Sequence, residues 1–513
     1  MKMNKLRSFL LALSLFSCAV VQAESPKQWY QDGQQALQQA LANTVNTNQA
    51  KNVILLVGDG MSISTITATR IFQGQKMGQM GEENKLTFEQ LPYVALAKTY
   101  NVDQQVPDSA GTMTAMMTGI KTRAGVISVN QHAIRSNCLS SKENGTETLL
   151  EQMEDLGYAT GIVSTARITH ATPAATYAHA PERDWEADSK IPSVEQKQGC
   201  EDIASQMVNF NHGDGIEVVL GGGRRNFLPL EENDPEYPQL ATGIREDGRN
   251  LINEWQHKYA SGQYVWNAKQ FEQINPVTTD KLLGLFEPSH MRYHVDRPLD
   301  GAGEPTLAEM TDKAIQILQK SNTGFFLMVE AGRIDHGHHA ANPHLALNDT
   351  IALDNTVKRI LEMVNLDDTL LIVTADHSHV FTMAGYPKRG NPILGKVKSN
   401  HPVQDNAVSE YALAKDGLPY TTLSYANGGK RLPEHTTKCF SPSCKVAPHR
   451  SDLTMVDTEH RDHVHESLIP LSSETHSGED VAIFAAGPWA HLFTGVYEQN
   501  YIYHVMKHAL QLK

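Results

Sequence analysis

The chain predicts an α/β fold: a doubly wound, mostly parallel central sheet with helices on both faces. Three observations predict it. Short β-branched, apolar runs recur along most of the 513 residues. Stretches with helical spacing separate them, and that alternation is the pattern of βαβ units. One of the runs, Phe325-Phe-Leu-Met-Val329, reads as a buried strand.

In chain order, Val53 to Val57 reads as a strand ending in Gly58-Asp59-Gly60, and Ser64 to Phe72 as a helix. Tyr93 to Val102 is strand-like, and Ala110 to Met117 is helical. A helix over Thr146 to Leu156 leads to a strand from Ala159 to Ser164. Glu201 to Phe210 and Glu217 to Leu220 repeat that pair, as do Leu307 to Gln319 and Phe325 to Val329. The long helix over Leu345 to Val364 precedes a strand from Thr369 to Thr374. Val481 to Ala485 is the last strand and Tyr501 to Leu510 the closing helix. In such sheets ligands bind outside the carboxyl ends of the strands. Polar residues just after apolar runs are therefore the ones to inspect.

Two regions stand apart. Lys2, Lys5 and Arg7 precede a short apolar stretch, Phe9 to Val21, and Val21-Gln22-Ala23 has the form of a cleavage site. Residues 1–23 are thus expected to be a removed signal peptide, and the chain to be exported to the periplasm or beyond. Leu15-Phe16-Ser17-Cys18 offers the rival reading of a lipidated Cys18. The second region, 385–473, is rich in Pro, Gly and Ser and carries six histidines. Roughly 90 residues of weak periodicity are too long for a plain loop. An inserted small subdomain is expected there, with residues 24–384 and 474–513 forming the main α/β domain.

The net charge of −14 argues against a nucleic-acid partner, since phosphate neutralisation needs a basic face. No apolar stretch reaches transmembrane length. Beyond Cys18 the cysteines are Cys138, Cys200, Cys439 and Cys444. Four in an exported chain suggest two disulfides, with three possible connectivities. Cys439 and Cys444 lie close enough for the cheapest local bridge, which leaves Cys138 with Cys200.

Six segments carry chemistry. Glu330-Ala-Gly-Arg-Ile-Asp335-His336-Gly-His338-His339 follows a buried strand, and Asp335 and His339 share a face if the chain turns helical. Carboxylate with imidazole is a zinc ligand set. Asp376-His377-Ser378-His379 follows Leu370 to Ala375 and reads either as an ion grip or as an Asp-capped turn. Asp59 between two glycines reads as a bridging ligand or a helix N-cap. Ser109, in Asp108-Ser-Ala-Gly-Thr112, stands at a helix N-terminus, where the dipole favours an alkoxide and an anion. No G-x-S-x-G elbow accompanies it. Thr169-His170-Ala-Thr172 offers hydroxyl oxygen suited to magnesium. Arg183 follows, with a fork able to hold two phosphate oxygens or to pair with Glu182 or Asp184. Finally, His476 in Glu474-Thr-His-Ser-Gly-Glu-Asp480 can complete a metal site. Gly221-Gly-Gly-Arg224 lacks the Lys of a P-loop and reads as a turn. His460-Arg-Asp-His463-Val-His465 has no strand feeding it and reads as loop surface.

In this order, Asp59, Asp108-Ser-Ala, Asp335 to His339, Asp376-His377 and Thr475-His-Ser-Gly478 closely resemble the alkaline phosphatases, nearest to the animal and related bacterial branch. The match runs from about Asn52 to the last helix. The resemblance implies a phosphomonoesterase acting on small phosphate monoesters, with Ser109 as the nucleophile that becomes phosphorylated. It implies one zinc on Asp335, His339 and His476, and another on Asp59, Asp376 and His377. Magnesium would take Asp59, Thr172 and Glu330, with His170 beside it. Arg183 would clamp the phosphate. His336 stands where some members carry a lysine that reaches the phosphate through water. Glu236, the Phe286 carbonyl, Glu287 and Asp300 match a fourth site given to calcium in animal relatives. Residues 385–473 take the place of the family's interfacial crown, which implies a homodimer. Action on diesters or sulfate esters fits less well: the serine is not in a C/S-x-P-x-R setting, and Arg183 needs two free oxygens. A non-catalytic envelope binder would be expected to lack Ser109 or a ligand, and none is missing.

Overall fold

The structure is a computed structural model and describes residues 25–398, 410–429 and 450–512. The leader with Cys18, and Cys439 with Cys444, lie outside the described residues.

Residues 45–512 form one unit around a ten-stranded sheet. Its strand order is Gly495–Glu498, Tyr93–Lys98, Val481–Ala486, Thr369–Ala375, Asn52–Gly58, Phe325–Ala331, Ala159–Arg167, Val218–Gly222, Leu282–Leu285 and Gln263–Val265. Val481–Ala486 runs antiparallel to both neighbours, and the other pairings are parallel. The expected fold class is therefore the observed one. The central strands are buried along nearly their whole length, which is why they read as unbroken apolar runs. Among the boundaries, the strand expected over Tyr93 to Val102 stops at Lys98, because Asn101 turns to bridge Gln104. The helix expected from Glu201 starts at Ile203, where the Asp202 carboxylate accepts the Ser205 N–H as its cap. A helix at Pro26–Ala42, capped by Ser25, belongs to a separate N-terminal unit and buries none of its residues. The sequence reading assigned no element there.

Described parts of 385–473 pack a second, smaller core. Phe381, Ile393, Leu394, Leu423 and Tyr425 meet Ala68 and Ile71 from the Ile63–Lys76 helix. The short strands Phe381–Met383 and Leu423–Tyr425 pair antiparallel beneath it. His465, expected on a loop surface, is buried, with its ring 6.1 Å from Tyr425. A disulfide joins Cys138 to Cys200 across 62 residues of sequence. By loop-closure entropy such a link stabilises the fold by about 4 kcal/mol.

Glu154, in the Leu149–Asp155 helix, carries a pH dependence. Burial, and after it the charge of Glu217, push its carboxyl up to about 9. The folded chain thus keeps a proton that the unfolded chain releases near pH 4.5. Its contribution is fully present below that pH and is lost as pH rises through the folded value, at up to about 1.4 kcal/mol per pH unit for one proton. Glu154→Gln keeps the acceptor for the Thr160 hydroxyl. Its melting temperature, relative to the parent chain, is expected to rise from pH 6 to pH 9. A pH-independent difference would contradict the assignment.

Candidate active site

Register brings the site together. Gly58 lies opposite both Ala331 and Ala375, so Asp59 and Asp376 leave adjacent strands at one level. Glu330, on Phe325–Ala331, sits opposite Val57 of Asn52–Gly58 and Ser164 of Ala159–Arg167. Four consecutive strands therefore deliver their carboxyl ends to one place. Gly60 has a left-handed φ of 67°, and a Cβ there would run into the His379 ring. Only glycine allows the chain to turn that close to the imidazoles.

Asp335, His339, His379 and His476 each offer a ligand atom, all within 4.8 Å of one another. Asp335 and His339 come from the short Arg333–His339 helix, as the spacing predicts. His476 arrives on a two-residue strand paired with Ser378–His379. His339 Nδ1 donates to the Glu474 carbonyl at 2.6 Å and His476 Nδ1 to the Pro107 carbonyl at 2.8 Å. That leaves both Nε2 atoms facing Asp335 Oδ1, at 3.2 and 3.3 Å. Imidazoles anchored through one nitrogen with the other directed inward are typical of metal-binding histidines.

Beside this group, His377 Nε2 lies 3.3 Å from both Asp59 Oδ1 and Asp376 Oδ2. Ser109 Oγ is 3.1 Å from the same nitrogen. Ser109 opens the fully buried Ser109–Thr118 helix, whose N-cap Asp108 accepts the Gly111 N–H. Asp59, His170 and Glu330 form a third cluster, with Thr172 buried close by. Ser164 Oγ donates to Glu330 Oε2. Both oxygens of Asp59, Glu330 Oε1, Asp376 Oδ2 and Thr172 Oγ1 are buried without a hydrogen-bond partner. Burial, then the charges of Asp376, Asp335 and Glu330, hold the Asp59 carboxyl well above the usual range. Buried charge of one sign without partners is costly, and bound cations would balance it.

Arg183 pairs with neither sequence neighbour. Glu182 is taken by Arg135 at 2.8 Å, while Arg183 donates to Asp108 Oδ2 at 3.1 Å and to His170 Nε2 at 3.2 Å. Burial, and then the Arg183 charge, keep His170 neutral and so an acceptor. His336 packs against His290, ring centres 4.1 Å apart, and burial lowers it to about 3. It is therefore a neutral imidazole, not the cation a lysine would supply.

Two functional candidates were missed in the sequence. His379, quoted in its segment but given no role, bridges Asp335 Oδ1 at 2.9 Å and Glu474 Oε2 at 2.6 Å. Burial opposes its charge, but these two hydrogen bonds outweigh it and raise the imidazole to about 9. Glu304 is the other. It is buried near Glu287 and Asp300, whose charges add to burial and push it up to about 9. Glu236, Asp300 and Glu304 each keep one buried oxygen without a partner. Glu287 accepts from Arg292 Nε at 2.8 Å and directly follows Phe286. Arg224, expected in a turn, is buried and holds Asp234 and Glu236 at 2.7 and 3.0 Å.

Comparison with known proteins gives a consistent result. The family model for alkaline phosphatase matches residues 50–512. The tissue-nonspecific alkaline phosphatase of Felis catus is 44% identical over 495 residues, covering 95% of this chain and 88% of the relative. The alkaline phosphatase of Gadus morhua is 42% identical over 494 residues, covering 95% and 98%. A variant of the TAB5 alkaline phosphatase, solved with Mg bound in its M3 site, shares the fold with a TM-score of 0.59, 23% identity and coverage of 91% and 99%.

Proposed function

The chain belongs to the alkaline phosphatase family and is a phosphomonoesterase, and from that premise we propose that it works through a phosphoserine at Ser109. The observation that carries the reading is Ser109 Oγ, 3.1 Å from His377, at the edge of a buried cluster of partnerless carboxylate oxygens. The donor set fits metal ions. Asp335, His339 and His476 would hold one zinc; Asp59, Asp376 and His377 a second; Asp59, Thr172 and Glu330 a magnesium. Bound there, the ions supply Lewis-acid charge to the attacking and leaving oxygens of an in-line displacement. Glu236, Glu287, Asp300 and the Phe286 carbonyl, joined by Glu304, would take a calcium.

The chain's own groups do the rest. The helix N-terminus favours the Ser109 alkoxide, formed as the hydroxyl proton passes to solvent; it attacks phosphorus as the ester P–O bond breaks, and the departing alkoxide takes a proton from water. Water then cleaves the phosphoserine and releases phosphate. Arg183, aimed by Asp108 and His170, binds two non-bridging oxygens. His336, its ring 5.7 Å from that of His170, offers a neutral imidazole to the substrate through water. His379, held between Asp335 and Glu474, positions the Asp335 carboxylate. Export through the 1–23 leader is supported by the Cys138–Cys200 disulfide, which persists in oxidising compartments. A homodimer, with 385–473 as the inserted crown on the 24–384 and 474–513 domain, rests on the family resemblance.

Initial rates on p-nitrophenyl phosphate and its bis-ester, at alkaline pH with zinc and magnesium supplied, test the reading. A large monoester preference is expected. Arg183→Ala should lower the monoester rate roughly 10²-fold and leave the slow diester rate nearly unchanged. A diester preference in the parent enzyme would mean that the Arg183 pocket has been misassigned.

A further inference from the structure

Away from this site, two histidines converge on one carboxylate. His179 Nε2 lies 2.7 Å from Glu151 Oε1, and His212 Nε2 lies 3.5 Å from the same oxygen. They line a surface cavity of ≈ 440 Å³. The opposite atom of each group is already committed. His179 Nδ1 meets the Ser128 carbonyl at 2.9 Å, and a carbonyl only accepts, so Nδ1 carries the proton. His212 Nδ1 meets the Asp155 carboxylate at 2.9 Å, whose other oxygen accepts the Gly213 N–H, so this nitrogen also donates. Glu151 Oε2 accepts the Thr148 N–H at 2.7 Å in the capping box of the Leu149–Asp155 helix.

Three lone pairs, from two imidazoles and a carboxylate, therefore point at one another. Each is held by a hydrogen bond on its far side, the arrangement that orients ligands around a metal. A divalent cation would satisfy all three atoms at once. The side chains of His179 and His212 are about one-third exposed, which leaves room for a water in a fourth position. Lys142, also on the cavity wall, is turned away to the Gln198 carbonyl at 2.9 Å.

We infer that Glu151, His179 and His212 form a separate binding site for a zinc-like divalent transition metal. Two imidazoles and one carboxylate with an open position is a donor set that zinc accepts. The ion would clip the Leu149–Asp155 helix to the turn at His212 and to the segment running from Thr172 through His179 to Arg183. The inference does not depend on the catalytic assignment, since none of its residues belongs to that site.

The test is calorimetric titration of Zn²⁺ into the full chain whose catalytic sites have first been saturated with zinc and magnesium. One further equivalent per chain is expected in the parent enzyme and its loss in His212→Ala. Asp155→Asn, which takes away the carboxylate charge and leaves a single acceptor oxygen for His212 Nδ1 and the Gly213 N–H, should weaken that binding by about 10- to 100-fold. His212→Ala should keep the parent rate on p-nitrophenyl phosphate, which shows that it is folded. Zinc-edge anomalous scattering should place the extra ion among the three side chains. Identical titrations of parent and His212→Ala would overturn the site.

Discussion

Ser109→Ala is expected to abolish turnover of phosphate monoesters, with a loss of roughly 10³-fold or more, while the bound metal content stays that of the parent enzyme. The reasoning is local. Ser109 Oγ touches His377 but supports none of the helix that follows it; the N-cap is Asp108, whose carboxylate holds Gly111 and Gly125. Removing one hydroxyl therefore leaves the backbone, the carboxylates and the imidazoles in place. Brief acid quench with ³²P-labelled substrate should trap phosphate on the parent chain and none on the variant. Label recovered on another residue of the parent chain would remove Ser109 from the mechanism, and retained label in the variant would do the same.

The parts of this molecule that were legible in the sequence are those where chemistry and burial act locally. The strands at 52–58, 325–331 and 369–375 are covered on both faces, so their apolar runs announce them and place Asp59, Glu330 and Asp376 at their ends. Edge strands are different. Gln263–Val265 and Gly495–Glu498 are short and partly exposed, and they exist because a neighbour offers free backbone groups. Nothing in Gly495-Val-Tyr-Glu alone asks for a strand. His379 was passed over because its role is tertiary: it gains Asp335 and Glu474 only when Ser378–His379 pairs with His476–Ser477. Glu304 was hidden by the loop Gly301-Ala-Gly303, which returns the chain to Glu287 and lets both Asp300 and Glu304 reach one place. Asp300, whose spacing from Glu287 departs slightly from the family's, is one of two carboxylates there.

Stripping the metals with a chelator is expected to bring the second large effect, on stability as well as rate. The five buried oxygens of Asp59, Glu330, Asp376 and Thr172 have no hydrogen-bond partner. Without cations the carboxyls must hold protons or repel one another. Burial raises Glu330 to about 7, and burial with the charges of Asp376, Asp335 and Glu330 holds Asp59 well above its ordinary range. An acid raised in the folded state contributes stability that is fully present below its unfolded value, near pH 4, and is lost as pH rises through the folded one. The chelated chain should therefore melt lower at pH 9 than at pH 6, and its activity should fall to background at both. Ions that bind only the folded chain add stability by mass action, about 2.7 kcal/mol for a site at a hundred times its Kd. Restoring zinc and magnesium should recover the rate and flatten the pH dependence of the melting temperature together. Chelated protein that kept its rate, or melted alike at both pH values, would mean that these carboxylates are satisfied by protons alone and that catalysis does not run through the cluster.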